Sequence, residues 1–214
     1  PTQAYCDNRI DKGLAEALML RRAKCTVYLA QEMDTLGKDS ELASTLAQGK
    51  PVIALIPEIT KSFVESFLSD LGKHYPRRTQ QEIALEQFRC LDPELAWTDD
   101  KVRRWLSERP DSADDVKEHL FAVMKRRYDS RARTLRERHP LGIQVNLETG
   151  VANGVLVVRT VRDCARLIRA IVTKTLRFSL QRDDLPLGYL MLREEISGCV
   201  FRVVTGDEML TNTF

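Results

Sequence analysis

Apolar residues at the start of the chain recur with a helical period. Between Asp11 and Lys24, the side chains of Leu14, Ala17 and Leu18 fall on one face. Arg21, Arg22 and Lys24 gather at the carboxyl end, where cations suit the helix dipole. Cys25-Thr-Val-Tyr-Leu-Ala30 then switches to a short, β-branched apolar run, which predicts a buried strand. Residues 31–38 are polar and predict a loop. Asp39 or Ser40 is placed to cap a second helix running to about Gln48, with Gly49 as its stop. Pro51-Val-Ile-Ala-Leu-Ile56 predicts a second buried strand. Continuous apolar strands alternating with helices imply a parallel sheet.

From Thr60 to about His139 the period stays helical. Phe63, Phe67, Leu68 and Leu71 share one face of the first segment, and Thr79 to Cys90 forms a second. Thr98 caps a third, containing Val102, Trp105 and Leu106. Ser112 caps a fourth that runs to about Arg136 through Val116, Leu120, Val123 and Met124. Pro140-Leu-Gly142 breaks it. Residues 143–147 alternate as a strand, 148–154 read as a glycine-bearing turn, and 155–159 as another strand. Val161 to Lys174 is an amphipathic helix, 176–180 alternates, 198–204 closes as a strand, and Asp207 opens a last turn. The expected division is an α/β core over 1–59, a helical segment over 60–139 and an α+β portion over 140–214.

Composition narrows the classes. With 43% apolar residues and a net charge of +2 over 214 residues, the chain is not of a disordered type. It has no run of about 18 apolar residues, so no membrane partner is expected. The near-zero charge argues against bulk electrostatic capture of nucleic acid. The 5 cysteines are odd in number and widely spaced, which predicts reduced, buried thiols in a cytoplasmic protein. His74, His119 and His139 lie apart from one another and from any cysteine, so the spacing supplies no metal site. One local concentration of charge remains: Lys125, Arg126, Arg127, Arg131, Arg133, Arg136 and Arg138. It suits nucleic acid or a phosphate-rich ligand, or else a solvated face partly paired with Asp129 and Glu137. With Tyr128 as the one interleaved aromatic, the solvated face is the favoured reading. Residues 148–154 suit an anion cradle or a plain turn, and the turn is favoured.

The candidate chemistry lies between the first two strands. A buried strand feeds a polar loop carrying Gly37, and a helix opens with Ser40-Glu41. In a parallel α/β sheet such a loop sits at the carboxyl end of the strand, where ligands bind. A first-turn Glu41 is kept ionised by the helix N-terminus and can act as nucleophile or oxocarbenium stabiliser at an anomeric carbon. Gly37 permits close backbone approach to a ligand. Asp34 and Thr35 are placed to meet a ribose, and Lys38 a phosphate. The same residues also fit a plain helix start: Ser40 as cap, Glu41 as first-turn acid, Lys38 solvated, Gly49-Lys50-Pro51 as helix stop and strand start.

Residues 11–58 resemble the nucleoside 2-deoxyribosyltransferase superfamily and its relatives, the TIR-domain NADases. Gly37 precedes Glu41 by four positions, and Gly49-Lys50-Pro51-Val52 follows Glu41 at a spacing of eight, as in the deoxyribosyltransferases. Ser40-Glu41-Leu42 is similar to the TIR stretch that carries the glutamate needed for NAD cleavage. Lys38 stands where the deoxyribosyltransferases have Thr, and Asp34 lies seven rather than six residues before Glu41. The resemblance implies a Rossmann-like parallel sheet, followed by the helical segment and the α+β portion. With Pro1 in place of an initiator Met, it implies a missing N-terminal part. It implies cleavage or transfer at a nucleotide N-glycosidic bond, with Glu41 catalytic. Asp34, Thr35, Gly37, Lys38 and Ser40 would bind substrate. NAD or another nucleotide would be substrate rather than cofactor, no metal would be needed, and a homo-oligomer or larger assembly is expected. A nucleotide sensor without catalysis and a structural interaction module are the alternatives.

Overall fold

The computed structural model describes residues 8–30, 36–91, 104, 113–137, 143–146, 151–181 and 191–204. The chain forms two compact units. One comprises Pro1–Leu29, Asp34–Ile56 and Ala132–Phe214, the other Ala30–Met33 and Pro57–Arg131.

The first unit opens with α1 (Arg9–Arg22), whose first-turn amides of Ile10 and Asp11 donate to the Asn8 side chain at 2.6 and 3.1 Å. Then follow β1 (Thr26–Leu29), α2 (Leu36–Ala47) and β2 (Val52–Leu55). The remaining strands come from far along the chain: β3 (Ile143–Asn146), β4 (Val151–Val158), β5 (Phe178–Gln181), β6 (Met191–Glu194) and β7 (Val200–Val204). They join one seven-stranded sheet in the order β1-β2-β4-β3-β7-β6-β5.

β1, β2 and β4 form a three-stranded parallel set, in register Thr26↔Val52 and Val52↔Val155. The expected parallel α/β sheet is thus present. Its central members are apolar throughout because both faces are covered: all of β2 and Val155–Val158 of β4 are buried. β1, at the edge, is buried only at Tyr28.

β4 changes partners midway. Val155–Val158 pair in parallel with β2, whereas Val151–Gly154 pair antiparallel with β3. β3 runs parallel to β7, and β7, β6 and β5 continue antiparallel. Two sequence expectations change here. The turn expected up to Gly154 is strand from Val151 onward, since alternate backbone groups of those residues reach β3. β6, absent from the sequence reading, exists because it lies between two partners that supply its hydrogen bonds.

Two helices cover opposite faces of the parallel set. α2 buries Leu42, Thr45 and Leu46, and Thr26 of β1 meets Thr45 on this side. α6 (Val161–Val172) buries Cys164, Leu167 and Ala170. Cys25, of opposite parity to Thr26, lies on the Cys164 side. Thr160 caps α6, its hydroxyl accepting from the Asp163 amide at 3.1 Å.

The second unit is helical where described: α3 (Lys61–His74), α4 (Gln80–Leu91) and α5 (Ala113–Glu137), of which residues up to Arg131 belong here. Thr60 caps α3. Thr79 and Glu82 form a reciprocal capping box at α4: the Glu82 amide donates to the Thr79 hydroxyl, and the Thr79 amide to the Glu82 carboxylate. The core holds Val64, Leu68, Ile83, Leu91, Leu120 and Met124. The helix expected after Thr98 with Trp105 and Leu106, the caps Thr98 and Ser112, and the turn at Asp207 lie outside the described residues. Among the described residues no helix is long and apolar enough to cross a membrane.

Candidate functional site

The stretch between β1 and β2 is built differently at its start than its sequence suggests. α2 begins at Leu36, not after Asp39 or Ser40. Asp39 suits the first turn of a helix as well as it suits a cap, and Gly37 costs only about 1 kcal/mol inside one. The earlier start also brings Lys38 back to the sheet, where its Nζ donates to the Leu29 carbonyl at 3.4 Å. That carbonyl faces outward from the edge strand, since Thr26 and, two residues on, Tyr28 turn their backbone groups toward β2.

Gly37 and Lys38 are therefore helical rather than loop residues. Glu41 sits in the second turn, and Asp39 is the first-turn acid. Dipole stabilisation fades within the first turn, so the reason for expecting an N-terminally stabilised Glu41 carboxylate does not hold. Gly37 and Ser40 are exposed, Lys38 and Glu41 half-buried, one turn apart on the same flank. Asp34 and Thr35 lie outside the described residues.

Glu41 is nevertheless held in place through its backbone. The Thr45 hydroxyl donates to the Glu41 carbonyl at 2.8 Å. Its only hydrogen is then in use, so the Thr26 hydroxyl is the donor in the 2.8 Å Thr26–Thr45 contact. This chain of bonds ties β1 to α2 and explains why a polar Thr45 is buried. The Glu41 carboxylate itself makes no hydrogen bond or ion pair with any described residue.

Gly49-Lys50-Pro51 has three structural tasks. Gly49, at φ 68°, takes the left-handed conformation that ends α2. Lys50 Nζ donates to the carbonyls of Leu20 and Arg21, at 2.8 and 2.6 Å, and so caps the carboxyl end of α1. The Pro51 carbonyl accepts from the Thr26 amide at the start of the sheet.

A cavity of about 260 Å³ opens at the amino end of β2, opposite the end at which α2 begins. Its wall includes Gly49, Pro51, Leu156, Phe178 and Phe201, with Lys174 as the one charged member among the described residues. Lys174 closes α6 in a left-handed conformation, φ 55°. The Thr175 amide donates to Ala170 and the Lys174 amide to Ile171, the double closure of a Schellman motif. Of the residues expected at the site, none of those described (Gly37, Lys38, Ser40, Glu41) lines this cavity.

Other reactive groups are committed elsewhere. Burial raises the Cys25 and Cys164 thiols, the latter further by the proximity of Cys25, so both stay protonated and poorly nucleophilic. Cys199 Sγ accepts from the Val157 amide at 3.3 Å, and Arg136 donates to the Val157 carbonyl at 3.4 Å. Together they satisfy the edge of β4 where β3 no longer reaches. Glu194, fully buried, accepts from the Ile196 amide and from the amide and hydroxyl of Ser197, shaping the turn from β6 to β7. Within the basic run, Lys125 pairs with Asp129 at 2.8 Å and Arg127 donates to the Leu91 carbonyl. Arg138 lies outside the described residues. Among the described residues no group of three His, Cys, Asp or Glu is placed to hold a metal ion.

Comparison of the chain with known protein families, curated proteins and solved structures finds no match.

Proposed function

We propose that β1, α2, β2 and β4 form a Rossmann-like, nucleotide-handling unit that cleaves or transfers an N-glycosidic bond, with Glu41 as the working carboxylate and NAD as the favoured substrate class. One observation carries this reading: Glu41 is a half-buried carboxylate without a partner among the described residues, on the helix that follows a parallel strand. A glutamate retained for stability would be expected to use its oxygens, as Glu82 and Glu194 do. The resemblance over residues 11–58 supports the same reading.

In that chemistry a Glu41 oxygen approaches the anomeric carbon as the carbon–nitrogen bond breaks, and the bonding pair leaves with the base. With NAD, the departing nicotinamide becomes neutral and needs no proton. Water then completes hydrolysis, or a second base completes transfer. Ser40, Gly37, Asp34 and Thr35 would border the ribose and Lys38 a phosphate.

The test is incubation of wild type and Glu41→Gln with NAD and with nucleosides, followed by chromatography for free base. Release by wild type and its loss in Glu41→Gln are expected. A thermal melt within about 0.5 kcal/mol of wild type is expected for the variant, because the carboxylate holds no described residue. Equal release by both proteins would sink the assignment of Glu41. A sensor that binds without cleaving is the second reading, favoured by the position of Glu41 beyond the first helical turn. It requires saturable NAD binding by wild type with no free base.

A further inference from the structure

The first helix has its apolar side outward. A surface helix of a globular domain ordinarily turns its apolar stripe toward the core. In α1, Ile10, Leu14 and Leu18 are 80%, 61% and 52% exposed. They stand at i, i+4 and i+8, on one face. The opposite face carries the Lys12–Glu16 ion pair, whose side chains are only 40% and 28% exposed. The polar pair is thus turned inward and the leucines outward. This is not fraying, because both ends are tied, by Asn8 at the start and Lys50 at the finish.

The charges beside the stripe say what would cover it. Asp11 and Arg22 flank it on the same side, one in the first turn and the other in the last. Both are exposed, and neither makes an ion pair with a described residue. An antiparallel helix of the same sequence would set Asp11 beside the partner's Arg22, and Arg22 beside the partner's Asp11. It would also bring Leu14 against the partner's Leu18. In a parallel pair the two-fold axis would run along the helices and set the two charged flanks on opposite sides of the seam, leaving both charges unpaired.

We propose that α1 is a self-association surface, on which two copies of this chain pair through antiparallel α1 helices related by a two-fold axis. A two-fold contact is self-complementary by construction, and the Asp11 and Arg22 positions meet that condition. A 14-residue helix is about 21 Å long, too short to bury the roughly 800 Å² per partner of a standard interface. The association is accordingly weak and concentration-dependent. It does not depend on what Glu41 does.

Sedimentation equilibrium on the full chain tests it. The weight-average mass of wild type should rise toward twice that of one chain as concentration increases. Leu14→Gln with Leu18→Gln should hold it at one chain; glutamine keeps the helix, and both sites are exposed. Asp11→Arg alone and Arg22→Asp alone should each weaken association about tenfold, two contacts being reversed in each. An equimolar mixture of those two single variants should regain it, because each then supplies the charge the other lacks. Circular dichroism melts confirm that every variant is folded. A wild-type mass that stays at one chain overturns the proposal, as does association that the charge reversals leave unchanged or that mixing fails to restore. Co-sedimentation with vesicles of 70% phosphatidylcholine and 30% phosphatidylserine, without self-association, would assign the face to a lipid surface instead and equally overturn it.

Discussion

Lys50 and Leu20 stand thirty residues apart in sequence, and the Lys50 ammonium donates to the Leu20 carbonyl at 2.8 Å. The same nitrogen reaches the Arg21 carbonyl. One cation at the foot of β2 therefore closes the end of α1, where backbone carbonyls lack helical partners and the dipole is negative.

Replacing that cation should loosen α1 specifically. Lys50→Met keeps the aliphatic stem and removes the two charge-assisted hydrogen bonds to α1 and a third to the Gln48 side chain, at a cost of about 1–2 kcal/mol. For a chain of this length that lowers the melting temperature by roughly 2–8 °C. Hydrogen exchange should quicken in α1 and not in β4. Unchanged protection of α1 would show that Lys50 contributes nothing there.

The Thr26–Thr45–Glu41 chain predicts a coupled pair. Thr45→Val leaves the Thr26 hydroxyl without its acceptor and takes the second donor from the Glu41 carbonyl, and should cost about 1–3 kcal/mol. Thr26→Val in that background should cost much less than it does alone, with a coupling of about 0.5–1.5 kcal/mol in denaturant melts. Additive costs would mean that the two hydroxyls act independently.

Asp163 makes part of the stability depend on pH. Its carboxyl is held below the ordinary carboxylate range, first by the Thr160 hydroxyl at 2.8 Å and then by Arg166. The folded protein thus binds that proton less tightly than the unfolded chain does. The contribution is complete above the ordinary aspartate range, near pH 4, and is lost as pH falls through the lower folded value. Asp163→Asn should be less stable than wild type at pH 7, with the gap narrowing toward about pH 2. A gap that stays constant across denaturant melts from pH 2 to 7 would exclude this origin.

Lys174 occupies a position that favours glycine. At φ 55° a residue with a side chain is strained, while glycine is at ease. Lys174→Gly should raise stability by about 0.5–1 kcal/mol, read as a higher denaturant midpoint. A lower midpoint would mean that the lysine side chain contributes more at the cavity mouth than its backbone costs.

Much of the local structure is legible in the chain itself. The β-branched run at residues 26–29, the apolar run at 52–55, the helical segments opening near Thr60 and Thr79, and the glycine stop at Gly49 each follow from local stereochemistry. The start of α2 is not legible, because Asp39 and Ser40 suit a first turn and a cap equally, and the contact that separates the two comes from Lys38 reaching Leu29. β6 is not legible either, since Met191–Glu194 carries little pattern of its own and is a strand by virtue of β5 and β7.

The sequence by itself determined most of the helices and strands, β6 and the first half of β4 apart, which residues are apolar enough to be buried, and that two apolar strands flank a helix bearing Glu41. Only the tertiary structure decided that β4, about a hundred residues beyond β2, completes the parallel set. It alone left the Glu41 carboxylate without a partner among the described residues, aimed Lys50 at α1 and turned Ile10, Leu14 and Leu18 outward. The physical reason is range. Propensity, capping and periodicity act over a few residues. Strand partners, ion pairs and the side of a helix that meets the core are set by groups brought together from distant parts of the chain.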